Sequence, residues 1–110
     1  MGEVRRFGQM IKVKPEGKAS YIAHHADPLP GVNEMIKECH LKNYSIYSLG
    51  DYLFTYMEYD GDDFDADMEK MAADPTTQKW WDIVKPLMQP LEDRKEGEFW
   101  SDMTEIYHLD

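Results

Sequence analysis

Two runs of β-forming residues meet in the middle of the chain, and that pairing constrains its topology more than any other feature. Asn43-Tyr44-Ser45-Ile46-Tyr47-Ser48-Leu49 ends at the turn signal Gly50-Asp51, and Tyr52 to Tyr59 follows as a second run of the same kind. The pair reads as a hairpin. Helix-patterned segments flank it, and a further strand pattern lies beyond each of them. Residues 3–13 place Phe7, Ile11 and Val13 on one strand face and Val4, Gly8 and Met10 on the other. Pro15 opens a helix where its missing N–H costs nothing, and that helix ends before Pro28. After Pro30-Gly31, the residues Val32, Met35, Ile36 and Cys39 recur at i, i+3, i+4 and i+7, a packed helical face. Beyond the hairpin, Phe64, Met68, Met71 and Ala72 mark another helix. Asp74 caps a further one with Pro75 in its first turn; it carries Trp80 and Trp81 and bends or ends near Pro86. Residues 89–97 form a charged loop, and Phe99 to Leu109 the last strand.

The order is β-α-β-β-α-β with both helical segments subdivided, an α+β ferredoxin-like sandwich forming a single domain over residues 1–110. Its helices cover one sheet face. Phe99, Met103, Tyr107 and Leu109 make the sheet apolar in part on each face, so a second copy closing on the open face, a homodimer, is expected.

Composition narrows the partners. A hydrophobic content of 42 % with 13 % aromatics in 110 residues suffices for one small core. The net charge of −10 repels nucleic-acid phosphates and anionic lipid and disfavours a phosphorylated substrate. No phosphate-cradling G-x-x-x-x-G-K loop is present. Neither a membrane-length apolar run nor a signal-like stretch is seen, and a lone cysteine, Cys39, points to a reducing cytoplasm. A small neutral or cationic molecule is the partner these features favour.

Tyr21 and His25 lie four residues apart and share one helix face, beside a stripe of Ala19, Ile22, Ala23 and Ala26. Histidine exchanges protons near neutral pH, so the pair is a candidate for acid–base work in a cleft; an amphipathic helix without a role is the plainer alternative. His24 and Asp27 do not turn this into a metal site, because adjacent helical residues diverge by about 100°. The stretch from Asp60 to Asp67 resembles a calcium loop but has Met68 where glycine is required; acidic residues at a helix start suffice to explain it. Trp80 and Trp81 are candidates for stacking on a sugar ring, with core packing as the competing explanation. Tyr44 and Tyr47 fall on opposite faces of their strand, so one of them at most joins a given site.

Taken together, Arg6-x-x-x-Met10 leading to Val13-x-Pro15, Tyr21-x-x-x-His25, Asn43-Tyr44-Ser45-Ile46-Tyr47, Leu53-Phe54 leading to Glu58, Trp80-Trp81 and Glu105-Ile106-Tyr107-x-Leu109 resemble the L-rhamnose mutarotase family in order and spacing. The resemblance implies a ferredoxin-like dimeric domain, a dimeric α+β barrel, that interconverts the ring anomers of a free deoxy-sugar without metal or other cofactor. It implies His25 as proton donor and Tyr21, Tyr44, Trp80 and Trp81 as the sugar site. Leu29-Pro30 stands where family members have Trp-Pro, which bears on the choice of sugar. Ring opening needs a proton on the ring oxygen and one removed from the anomeric hydroxyl. For the base, Tyr44, a carboxylate such as Glu105, and a water are all open. Rival functions on the same scaffold are a non-catalytic sugar-binding or interaction module and a cofactor-independent monooxygenase.

Overall fold

The computed structural model describes residues 4–110; Met1, Gly2 and Glu3, the last of which opens the first strand read from sequence, lie outside the described residues. Strand β1 (Arg5–Val13) runs through the middle of an antiparallel sheet. On one side it pairs with β3 (Tyr52–Tyr59), from Arg5↔Tyr59 to Lys12↔Tyr52. The outer arm of the hairpin, β2 (Leu41–Leu49), pairs with β3 in turn. The hairpin turns at Gly50, whose φ of 60° is the left-handed conformation a tight β-turn needs. Two short strands share the other edge of β1. β4 (Met88–Gln89) pairs with Lys12 and Val13, and β5 (Ser101–Met103) with Gly8 to Met10.

Among the described residues four α-helices cover one face. After a 3₁₀ turn at Pro15–Gly17 come α1 (Lys18–Ala26) and α2 (Val32–Glu38); α3 (Phe64–Ala73) and α4 (Pro75–Val84) follow the hairpin. Ile11, Val13 and Leu53 from the sheet are buried against Tyr21, Val32, Trp80 and Val84 from the helices. A second cluster joins Cys39, Leu41, Tyr59 and Met71. Each such large side chain contributes roughly 1.5–3 kcal/mol on burial. This is the α+β ferredoxin-like arrangement expected, extended by the small strand β4.

Two details differ from the sequence reading. The last strand, expected over Phe99 to Leu109, pairs only through Ser101–Met103. Residues 104–110 continue from it without strand pairing. Ile106, Tyr107 and Leu109 are instead 94 %, 77 % and 77 % exposed. The helix α1 also turns a different side to the core. Ala19, Ile22, Ala23 and Ala26 are exposed, and Tyr21 is the buried residue. One tyrosine ring removes more apolar surface from water than three alanine methyls.

Helix α4, which presents both tryptophans, is anchored at its start as the sequence suggested. Asp74 Oδ2 accepts from the Thr77 amide at 2.9 Å and from the Thr77 hydroxyl at 2.8 Å. Replacing Asp74 by Ala should cost about 1–2 kcal/mol, the range for losing such a cap, measured by urea denaturation; an unchanged midpoint would show that the cap is redundant.

Candidate active site

Between the helices and the half of the sheet formed by β2 and β3 lies a cavity of about 590 Å³. An adjoining chamber of about 250 Å³ extends it toward Trp81 and Trp100. His25, Tyr44 and Trp80 line both. Tyr21 lines the inner chamber and is 4 % exposed. All five residues singled out in the sequence as a sugar site are thus brought to one connected space.

The histidine is held from three directions. Its Nδ1 lies 2.8 Å from the Tyr21 carbonyl oxygen, one helical turn back. A carbonyl only accepts, so Nδ1 carries the proton and Nε2 is left with a free lone pair. The ring stacks on Tyr21, centroids 4.2 Å apart, and meets Trp80 edge-on at 5.0 Å. Burial lowers the His25 pKa below its ordinary 6.5, outweighing the carbonyl hydrogen bond, which acts the other way. His25 is therefore neutral at physiological pH. His24 touches the same tryptophan from another side, edge-on at 6.4 Å, but lines neither chamber.

The phenols are tuned in the opposite sense. Desolvation raises the Tyr21 pKa far above the normal phenol value, with a smaller contribution from Tyr44. Tyr44 is 40 % exposed as a residue, yet its hydroxyl end is withdrawn from water beside Thr55, and burial raises its pKa as well. Both remain protonated hydrogen-bond donors at neutral pH. Trp80 is 8 % exposed and packs in the main core. Trp81 is half-buried, with Lys85 Nζ 4.5 Å from its ring centroid. Core packing and a place at the pocket are not alternatives here: Trp80 has both, and Trp81 lines the inner chamber.

Among the described residues no carboxylate lines either chamber, whereas Lys37, Lys42 and Lys85 do. Glu105 lies on the opposite side of the sheet, paired with Arg6 through Nε–Oε1 at 2.8 Å and Nη2–Oε2 at 3.2 Å. Leu29 packs against the core and lines neither chamber. Among the described residues no three His, Cys, Asp or Glu side chains gather into a metal-holding group. The rim also carries Asn33 and Lys37, which sequence reasoning passed over. Their i, i+4 spacing beside the Val32–Ile36 stripe was the available signal. Trp100, in the inner chamber, was hidden by reading its neighbourhood as plain strand.

A profile of the family described as L-rhamnose mutarotase matches residues 6–109. The chain belongs to the L-rhamnose mutarotase family. An L-rhamnose mutarotase of Oceanobacillus iheyensis is 29 % identical over 109 residues, covering 97 % of this chain and 100 % of that protein. The crystal structure of an L-rhamnose mutarotase from Formosa agariphila superposes with a TM-score of 0.74 at 21 % identity, covering 96 % of this chain and 99 % of that one. Tetracenomycin F2 cyclase from Streptomyces glaucescens, with a TM-score of 0.64 at 15 % identity and coverage of 96 % and 99 %, shares the fold alone. Mutarotases are isomerases, and the chain is an enzyme of that class. No helix among the described residues is long and apolar enough to cross a membrane.

The two tryptophans should separate on substitution. Trp80→Ala should destabilise by roughly 3–5 kcal/mol, as for a large buried aromatic; Trp81→Ala should cost less, since that ring is already half-exposed. In folded Trp80→Ala, water reaches His25, so its pKa should rise toward 6.5 in an NMR titration. An unmoved pKa would show that Trp80 does not shield the imidazole.

Proposed function

We propose that this cavity interconverts the α and β anomers of a free 6-deoxyhexose, L-rhamnose, by opening and reclosing the pyranose ring. The observation that carries the reading is the neutral imidazole of His25, its Nδ1–H spent on the Tyr21 carbonyl and its Nε2 free at the wall of a sugar-sized cavity. Nε2 takes the proton of the anomeric hydroxyl as the C1–O1 bond becomes a carbonyl and the bond from C1 to the ring oxygen breaks. The imidazolium so formed returns the proton to the ring oxygen, which leaves as a hydroxyl. Both oxygens belong to the same carbon, so one base that becomes an acid can serve both. Rotation about C1–C2 and the reverse sequence give the other anomer, with atoms and charge balanced throughout.

The neighbouring groups fit this assignment. Tyr21 and Tyr44, kept protonated by burial, donate to sugar hydroxyls rather than compete as bases. Trp80 and Trp81 offer faces to the C–H side of the ring and to the C6 methyl. With no carboxylate of the described residues in the lining, the role left open for a base falls to His25 itself, helped by water.

The working unit is a homodimer in the cytoplasm. The sheet face away from the helices exposes Tyr47, Leu49, Tyr52 and Met103 at 67 %, 73 %, 39 % and 43 %. The apolar tail of Ile106, Tyr107 and Leu109 continues beside it. A second copy covers both with the same surface, as two-fold association requires.

Anomeric exchange followed by saturation-transfer NMR across free hexoses and 6-deoxyhexoses tests the activity. L-rhamnose should exchange far faster than in buffer; a rate equal to buffer would leave a sugar-binding module. His25→Asn should retain its fold and lose about 10²–10⁴-fold in rate, the usual worth of acid–base catalysis. After subtraction of the buffer rate, wild-type activity should be level above neutrality. It should fall as pH drops through a value below 6.5, because protonation removes the Nε2 lone pair. A rate that climbs on acidification would reverse the order of proton transfers. Light scattering should return twice the chain mass of 12.9 kDa, and removal of residues 104–110 should shift the population toward monomer. A monomer at micromolar concentration for the intact chain would sink the dimer.

A further inference from the structure

Strand β2 changes stride at one place. Lys42 stands opposite Glu58 and Ser45 opposite Tyr56, so Asn43 and Tyr44 together face the single residue Met57. This is a β-bulge, in which one extra residue re-aims the side chains around it. Its effect can be counted along the strand. Leu41 packs toward the helices, so unbroken alternation would send residue 43 to the helices and residue 44 to the open face. With the bulge the two exchange places. The Asn43 amide reaches the open face, where Nδ2 donates to Glu58 Oε1 at 2.8 Å, although the residue still borders the cavity that Tyr44 lines with His25 and Trp80.

The exchange is braced from the open face. Asn43 holds a φ of 49°, a left-handed conformation that asparagine tolerates better than most residues. Glu58 is itself fixed, since the Tyr56 hydroxyl donates to its Oε2 at 2.7 Å. One carboxylate oxygen therefore holds the bulge and the other is tied to the sheet. Hydrogen bonds from Tyr56 and Asn43 keep the Glu58 carboxyl below its usual range. Glu58 lines neither chamber.

We propose that Asn43 and Glu58 are positioning residues for the mutarotase reaction: from the sheet face opposite the site, the Glu58 carboxylate locks the bulge that aims Tyr44 into the sugar cavity. This rests on the reading of Tyr44 as a sugar ligand. The pair acts on affinity through Tyr44 and leaves His25 untouched, so a split between KM and kcat is its signature.

The test uses anomeric-exchange kinetics of Asn43→Ala, Glu58→Ala, Glu58→Gln, Tyr44→Phe and the double variant Asn43→Ala/Tyr44→Phe, with a crystal structure of Asn43→Ala. Tyr44→Phe should raise KM. Asn43→Ala and Glu58→Ala should each raise KM by about tenfold, the loss of one good hydrogen bond, with kcat changed about twofold at most. Glu58→Gln keeps an acceptor oxygen for Asn43 and should regain most of the lost affinity. In the double variant Asn43→Ala should add almost nothing to Tyr44→Phe, the non-additivity expected of residues acting through one contact. In the Asn43→Ala crystal the Tyr44 ring should stand outside the cavity. Fully additive KM effects, or a Tyr44 ring still in place, would overturn the positioning role and leave the mutarotase reading intact. An unchanged KM in Tyr44→Phe would remove Tyr44 as a ligand and this role with it. A wild type no faster than buffer would instead fail the mutarotase reading, and the Asn43→Ala crystal would then decide the bulge on its own.

Discussion

Everything in this domain hangs from the ladder between β1 and β3. It pairs Arg5 through Lys12 with Tyr59 through Tyr52 and gives each strand two faces of opposite character. Ile11, Val13, Leu53 and Thr55 point to the helices and are buried. Arg6, Tyr56 and Glu58 point the other way, into a network of charge and hydroxyl groups. The period of two in side-chain direction makes this partition strict. A slip of one residue in the ladder would send the core residues to the open face and the ion pairs inward. The cavity exists because the helices span the inward face without filling it along β2, the edge strand.

Stability and chemistry draw on the same aromatic contacts. Tyr21 is the buried anchor of α1, and its carbonyl orients His25. Trp80 is the buried anchor of α4, and its ring walls off the same imidazole. The desolvation that makes these rings valuable to the core also lowers the histidine pKa and raises those of the phenols. A site made this way needs no separate scaffold, but its residues cannot be changed for function without touching the fold.

The fold was largely legible because its boundaries coincide with residues that have backbone reasons to be there. Pro15, Pro28, Gly31, Gly50 and Pro75 punctuate the elements where the structure breaks them. Asp74 caps the helix that it was read to cap. The misreadings share a cause, since each depended on what a segment packs against. The alanine stripe of α1 has the right period, but the ring of Tyr21 outcompetes it for the core. The last strand has strand composition, but it pairs with β1 only at Gly8 to Met10. Tyr21 with His25 could be found from helical spacing, and Trp80-Trp81 from side-chain chemistry. That the Asn43 amide reaches Glu58 on the far face could not be seen, because a bulge is a register event between two strands and leaves no period in one of them.

The electrostatics of the cavity narrow what it can do. Ring opening of a hemiacetal creates no lasting charge and only moves a proton between two oxygens on one carbon. A carboxylate beside the imidazole would raise its pKa and hold the transferred proton as a tight pair. The chain carries 22 acidic residues, yet none of the described ones lines the chambers. Besides three lysines, two protonated phenols and a neutral imidazole remain, so His25 is the group in the lining that can accept a proton at neutral pH. The imidazole is a weaker base than the sugar alkoxide, so it takes the anomeric proton only as the ring C–O bond breaks and returns it to the ring oxygen. Ring closure uses the same shuttle in reverse, which suits a reaction whose substrate and product differ by one stereocentre.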